Sequence, residues 1–443
     1  MSSLSDDREM TMDVEELFFS TTDRRGVIRQ GNSVFVRVSG FSQEELAGAP
    51  HNIVRHPEMP GGAFRLVWDR LAAGRSVGAY VKNLARDGRP YWVFATMSPV
   101  QDGFLSVRMA AHAPLFDLAR QVYAQASEVE RTFPMNRRDA SLHGMGHIEE
   151  SLRRHGFASY DAFMFDALPA EVSARSHLVS TSYARPGASG AIGEVLAGAA
   201  DVDDVLGDLV GRLEAYHALC ERLAVTSGNV LDISRRTSRS AKAAQQASEM
   251  VADSAPVLAN VARVMNAPMS RAIAALERTR AHLDRLRADV AELRFQISLA
   301  RLYNTMVAAF AAEVVDDIAP SGSLGAVPLL CDAAQSGSLE TAVQVQRVND
   351  GLRGIADLVE EARTLLEEFR RFLGQWRNLV LRHRAGASMV GMLDPIDAEI
   401  TASWDWLEML RELGDQCRTA VIPFDADLLR TRLNRMRIAP AAA

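Results

Sequence analysis

Two hydrophobic rhythms divide the chain. From Phe18 to Met109, apolar and β-branched residues alternate with polar ones in short runs separated by turn dipeptides. Phe18 to Thr22 reads as a strand, Asp23 to Gly26 as a turn, and Val27 to Arg29 as the return strand. Asn32–Val38 and Ser42–Ala47 read as short helices, and Ser42 with Glu45 three residues on has the pattern of a capping box. Pro50 to Gly62 holds three prolines and two glycines and predicts loop and broken turns. Ala63 to Ala73 predicts a helix with Phe64, Val67, Trp68 and Leu71 on one face, which makes Trp68 a core residue. Gly78–Ala85, Pro90–Val100 and Phe104–Met109 follow as strands. The turns between them, RDGR and QDG, suit antiparallel hairpins.

From Leu115 onward the rhythm is helical. Between Gly144 and Arg175 it predicts short helices broken by Gly156 and Pro169. His143 and His147 are spaced to share a helical face, as two metal ligands would, but Gly144 and Gly146 between them argue against a helix there and so against a metal. The small residues of Pro186 to Ala200 read as a linker. Two long segments then keep heptad spacing, Leu276 to Val307 and Leu352 to Val380, with a shorter run from Ile396 to Leu410. Ala319–Gly325 between the first two is a natural reversal, which predicts an antiparallel helical hairpin. Cys220 shares a stripe with Leu206, Val210, Leu213 and His217 and reads as a small core hydrophobe. The expected divisions are a first domain over 15–112, a short-helix connector over 115–185, a linker over 186–200, a long bundle or coiled-coil hairpin over 201–385, and terminal helices over 394–437.

Composition narrows the class. The 443 residues carry 49 basic and 56 acidic side chains, a formal charge of −7, which gives no pull toward nucleic acid or anionic lipid. Three well-separated cysteines with no CxxC pair argue against a disulfide framework and a structural zinc site, and fit a reducing cytoplasm. The acidic start MSSLSDDREMTMDVEEL does not read as a signal peptide, and no run of 18 apolar residues occurs. The expectation is a soluble cytoplasmic protein. No Gly-rich phosphate loop, HExxH or GxSxG stands in the chain, so an enzyme is not expected.

The element order of the first region is that of a PAS domain: α+β, with a five-stranded antiparallel sheet and flanking helices, here followed by an all-α region. The text TTDRRGVIRQGNSVFVRVSGFSQEELAGAPHNIVRHPEMPGGAF, with VKN at Val81–Asn83 and YWV at Tyr91–Val93, resembles the sensory PAS domain of the bacterial aerotaxis receptor family. That family binds FAD and reports redox or oxygen status to the chemotaxis machinery. The resemblance implies that Asn32, Arg55, His56 and Asn83 hold FAD, that Glu58 stands where the family usually has aspartate, and that Trp68 matches an aromatic of the following helix. Val77 stands where the family commonly has tryptophan. The side chains have chemistry suited to a flavin nucleotide. A guanidinium fork matches phosphate oxygens, the two amides offer donors and acceptors to a ring edge, and His56 can respond to charge on the ring. A light-driven LOV mechanism needs a cysteine near the flavin, and none precedes Cys220. Haem held through His51 or His56 stays open as an alternative cofactor, as does an interaction scaffold without cofactor. The helices suit a homodimer. Glu292–Val315 weakly resembles one arm of a chemoreceptor signalling hairpin, whose characteristic tip is absent, so a chemotaxis adaptor as partner stays open.

Overall fold

In the computed structural model the chain divides into two units, and residues 9–134, 136–179, 183–318, 321–383, 393–421 and 423–438 are described. The first unit comprises Met1–Gly211, Ala291–Val343 and Phe424–Ala443. The second comprises Arg212–Val290 and Gln344–Pro423.

In the first unit, strand β1 (Phe18–Asp23) turns into β2 (Ile28–Gly31) on the carboxylate of Asp23. That group accepts the amides of Arg25 at 2.8 Å and Val27 at 2.9 Å, while Gly26 takes a φ of +80° that a Cβ would resist. Helix α1 (Ser33–Ser39) starts on the Asn32 cap, and α2 (Gln43–Leu46) on the expected capping box of Ser42 and Glu45. A 3-10 turn, His51–Val54, leads to α3 (Gly61–Ala72). Strands β3 (Val77–Leu84), β4 (Pro90–Val100) and β5 (Gly103–Met109) form the meander. The five-stranded sheet has the order β2-β1-β5-β4-β3, every pair antiparallel.

Register decides what each face carries, because side chains alternate. Phe18 pairs with Arg108, Arg108 with Ala95 and Ala95 with Ala79, so these four share the face that looks toward α1–α3. The opposite face carries Phe19, Tyr80, Phe94 and Val107, all fully buried. Helices α4 (Leu115–Thr132) and α6 (Tyr160–Leu178) cover it: Tyr80 stacks on Phe116 at 5.5 Å, and its hydroxyl donates to Glu171 at 2.8 Å. Glu171 also accepts the amides of His112 and Ala113, and burial raises its pKa. Tyr303 and Phe310, from a later helix of the same unit, reach this face through Ser98 and Phe19.

Two expected interruptions are absent. Gly144 and Gly146 lie inside α5 (Arg137–Arg154), and Pro169 lies inside α6, so these helices run 18 and 19 residues. A mid-helix glycine costs about 1 kcal/mol and a proline about 3. Burial of Ile148 and Leu152 in α5, and of Phe163, Met164 and Leu168 in α6, outweighs it. His143 and His147 therefore do share one helix, yet no group of three metal-ligating side chains occurs among the described residues.

Five further helices follow among the described residues: α7 (Gly190–Met250), α8 (Pro256–Val315), α9 (Val327–Arg382), α10 (Leu393–Thr419) and α11 (Ala426–Ile438). The stretch Pro186–Ala200, expected as a linker, is helical from Gly190, with Val195, Leu196 and Ala199 buried. Its small residues serve packing, since a methyl on Gly198 would meet Met436 of α11 at 2.6 Å. The reversal between α8 and α9 is described from Ser321 as a 3-10 turn, and Ala319 and Pro320 lie outside the described residues.

In the second unit successive helices run antiparallel, because paired contacts progress in opposite directions: Glu221–Arg287 then Arg235–Glu277, Arg278–Glu361 then Leu286–Gly351, and Arg370–Trp404 then Arg377–Asp397. The heptad residues Leu283, Leu286, Ile355, Val359, Leu366 and Leu373 are buried along their contacts. Trp376 is fully buried, its Nε1 donating to Ser248 at 2.8 Å. Cys220 is buried as expected, whereas His217 faces outward and Tyr216 is buried in its stead. No helix among the described residues is long and apolar enough to cross a membrane.

Candidate functional site

Between the sheet and α3 lies a cavity of about 280 Å³. Its floor is the inward face of the central strands: Ala95 and Met97 of β4, then Phe104, Ser106 and Arg108 of β5. Phe64, Val67, Trp68 and Leu71 of α3 form one wall, Val81 and Asn83 of β3 another, and Arg25, His51, Asn52 and Arg55 stand at the loops.

Arg108 dominates the electrostatics. It is buried, its guanidinium lies over the ring of Phe18 at 4.6 Å, and it donates to Ser20 Oγ at 3.3 Å and His51 Nε2 at 3.0 Å. A guanidinium has only hydrogens to offer, so Nε2 of His51 is the acceptor and the ring's proton sits on Nδ1. Burial, then the Arg108 charge, pushes the His51 pKa down to about 3, which keeps the imidazole neutral. Burial also lowers Arg108 to about 10, still well above neutrality. No carboxylate among the described residues pairs with Arg108.

A second group is also left over. Asn83 is 3% exposed, yet its side-chain Nδ2 has no hydrogen-bond partner, and neither has the hydroxyl of Tyr91, its neighbour across the β3–β4 pair. Burial raises the Tyr91 pKa, so the hydroxyl keeps its proton. An unmet buried polar group costs about 1–3 kcal/mol, and a buried charge without a partner several. Two such groups in one pocket, the Asn83 amide and the Arg108 guanidinium, fit a site completed by acceptor atoms of a ligand.

Of the six residues implied by resemblance, Arg55, Trp68 and Asn83 line the cavity, whereas Asn32, His56 and Glu58 do not. Arg55 donates to the Met59 carbonyl at 2.8 Å and lies over Phe64 at 4.3 Å. Trp68 is 42% exposed and meets Phe104 edge-on at 5.4 Å, so it stands at the mouth rather than in the core where helical spacing put it. Asn32 is spent on structure. Its Oδ1 accepts the amides of Phe19 and Phe35, and its Nδ2 donates to Leu17, which fixes β1 against α1. His56 Nδ1 accepts the Glu58 amide at 3.2 Å, and Glu58 pairs with Lys82 on the outside of β3. Val77 is fully buried opposite Met97 and lies outside the cavity lining.

Sequence reasoning passes over Arg108 and Tyr91, and reads His51 only as a haem ligand. The alternation Phe104, Ser106, Arg108 in a strand whose other face is apolar carries the signal for Arg108.

The family model described as PAS fold matches residues 30–107, which hold both cavity walls and all of the floor except Arg108. The N-terminal domain is a PAS domain. The aerotaxis receptor of Escherichia coli (strain K12) is 42% identical over 97 residues, 21% of this chain and 19% of that receptor. The biofilm dispersion protein BdlA of Pseudomonas aeruginosa is 33% identical over 87 residues, 18% of this chain and 20% of that protein. The PAS domain of a Colwellia psychrerythraea protein, known from a crystal structure, is 21% identical with a TM-score of 0.19, over 21% of this chain and 85% of that one. The match thus spans about a fifth of the curated relatives, 19% and 20% of their lengths, and lies in the PAS domain.

Proposed function

We propose that this chain is a cytoplasmic signal transducer of the chemotaxis kind that senses redox state or oxygen through FAD held in the PAS cavity. The observation that carries the reading is the pairing of a buried guanidinium lacking a carboxylate with a buried amide donor lacking an acceptor, both on one cavity. FAD supplies a redox-active ring with acceptor atoms along one edge and an anionic pyrophosphate. Asn83 and Arg108 would hold the ring edge, with Trp68 covering it from the mouth. Arg55 and Arg25 stand among the loops, where a guanidinium suits phosphate oxygens. The volume is close to the lower end of ligand sites, about 300–1,000 Å³, which fits a ring system with its tail outside.

Haem is the weaker reading. Nε2 of His51 is engaged by Arg108, and His56 lies off the cavity against Glu58. A scaffold without cofactor leaves the cost at Asn83 and Arg108 unexplained. The long helices that follow the PAS domain would form the output module, pairing with a second copy and contacting a signalling partner. The three buried free cysteines agree with a reducing compartment.

An absorption spectrum of the purified full chain, with chromatography of what heat releases, tests the reading. Flavin bands with FAD released are expected. A Soret band, or a colourless protein that takes up no FAD, overturns it.

A further inference from the structure

Helix α3 walls the cavity with Phe64, Val67, Trp68 and Leu71, and α5 packs along it more extensively than any later helix packs on the sheet. At its N-terminus the carboxylate of Glu130, from α4, accepts the amides of Gly61 and Gly62, both at 2.7 Å. These amides have no partner within their own helix, and the anion meets the positive end of the helix dipole. Beside that cap, α3 and α5 touch backbone to backbone. A methyl placed on Gly62 would lie 2.2 Å from the amide nitrogen of Met145, and one on Gly144 would lie 1.9 Å from Glu130 Oε1 and 2.6 Å from its Cδ. Further along α3, Arg70 is 4% exposed, pairs with Asp161 of α6, and donates to the Ser76 carbonyl at 2.6 Å. Arg55, whose side chain lines the cavity, feels the charge of Glu130 as well.

A side-chain interface can absorb a small shift by changing rotamers. A backbone contact closed by glycines has no such cushion, so displacement on one side is passed to the other. We propose that α3 is a transmission helix, which carries displacement at the cavity to α4 and α5 through the Gly62–Gly144 contact and the Glu130 cap. This rests on the reading of the cavity as a ligand site. It also accounts for a glycine kept in mid-helix at position 144, since any side chain there would push Glu130 off the α3 amides.

Hydrogen exchange of the full chain tests the proposal, with the signal taken from Leu115–Thr132 and Arg137–Arg154 and FAD occupancy taken from absorbance. Ala95→Leu fills the cavity floor and perturbs α3 without any ligand. In the wild type, FAD or Ala95→Leu is expected to change exchange in these helices by about threefold or more, the scale of coupling through a packed network. In the Gly144→Ala and Glu130→Gln backgrounds the response is expected to fall below half of that, with FAD uptake retained. An undiminished response in both backgrounds, or a perturbed cavity with unchanged exchange, overturns the proposal. Should Gly144→Ala fail to fold, Glu130→Gln, which keeps the shape of the cap, decides. Should the protein take up no FAD, the flavin reading fails alone, and Ala95→Leu still decides the coupling.

Discussion

The guanidinium of Arg108 donates to Nε2 of His51 at 3.0 Å, so a permanent cation at the PAS cavity is met by a neutral ring rather than by a carboxylate. The sheet register produces this arrangement. It puts Arg108 on the inward face between Phe18 and Ala95, where desolvation is nearly complete. A charge held there costs stability that a ligand acceptor can return.

The first prediction follows from that cost. Arg108→Met keeps about the same volume and removes the buried charge, and Ser20 Oγ, 3.4 Å from His51 Nε2, can take over as its donor, so without ligand the protein should melt no lower than the wild type. With saturating FAD the order should reverse, because the variant would lack the ligand contact proposed for Arg108. Thermal melts in both conditions check the crossing.

Asn83→Ala separates binding from stability in a second way. The amide nitrogen has no partner to lose and its unmet cost goes with it, so ligand-free stability should not fall. FAD affinity should fall by about tenfold, the worth of one buried hydrogen bond at about 1.4 kcal/mol. Denaturation and FAD titration of the same variant suffice.

His51 gives a pH prediction. Its native pKa is depressed to about 3 from 6.5, so as pH falls below 6.5 the unfolded chain takes up a proton there that the native state refuses. The His51 contribution should therefore be constant above pH 6.5 and should erode stability progressively as pH falls toward 3. His51→Leu should show a shallower acid slope than the wild type in denaturant midpoints over that range. Equal slopes would contradict the neutral assignment.

Much of the PAS domain is legible in the chain because its signals are local. Asp23 with Gly26 makes the first turn, Ser42 with Glu45 caps α2, and period-2 alternation gives the strands. The misread helix breaks and the misread linker depend on partners distant in sequence. Gly144 and Pro169 look like helix breakers because the burial that overrules them comes from other elements. The small residues after Pro186 look like a linker because Met436 stands far along the chain. The cavity is half legible. Arg55, Trp68 and Asn83 reach it, while Asn32 turns its whole amide to the backbone, a role that residue type cannot distinguish from ligand binding. Arg108 stays hidden because its meaning arises from the face it shares across three strands.

In the second unit the buried indole of Trp376 predicts a large local effect. Trp376→Ala removes a fully buried side chain and leaves Ser248 Oγ without its donor, for a loss of about 3–5 kcal/mol. Trp376→Phe should recover most of the packing and leave a smaller deficit. Chemical denaturation of both variants checks the order.

Equilibrium dialysis of the full chain against FAD tests most directly the proposal that FAD occupies the cavity between α3 and the sheet. The wild type should bind about one FAD per chain, whereas Ala95→Leu, which narrows the cavity floor, should bind at least about tenfold more weakly, as overpacking by more than about 1.4 kcal/mol requires. No binding by the wild type, or equal binding by both proteins, would contradict the account.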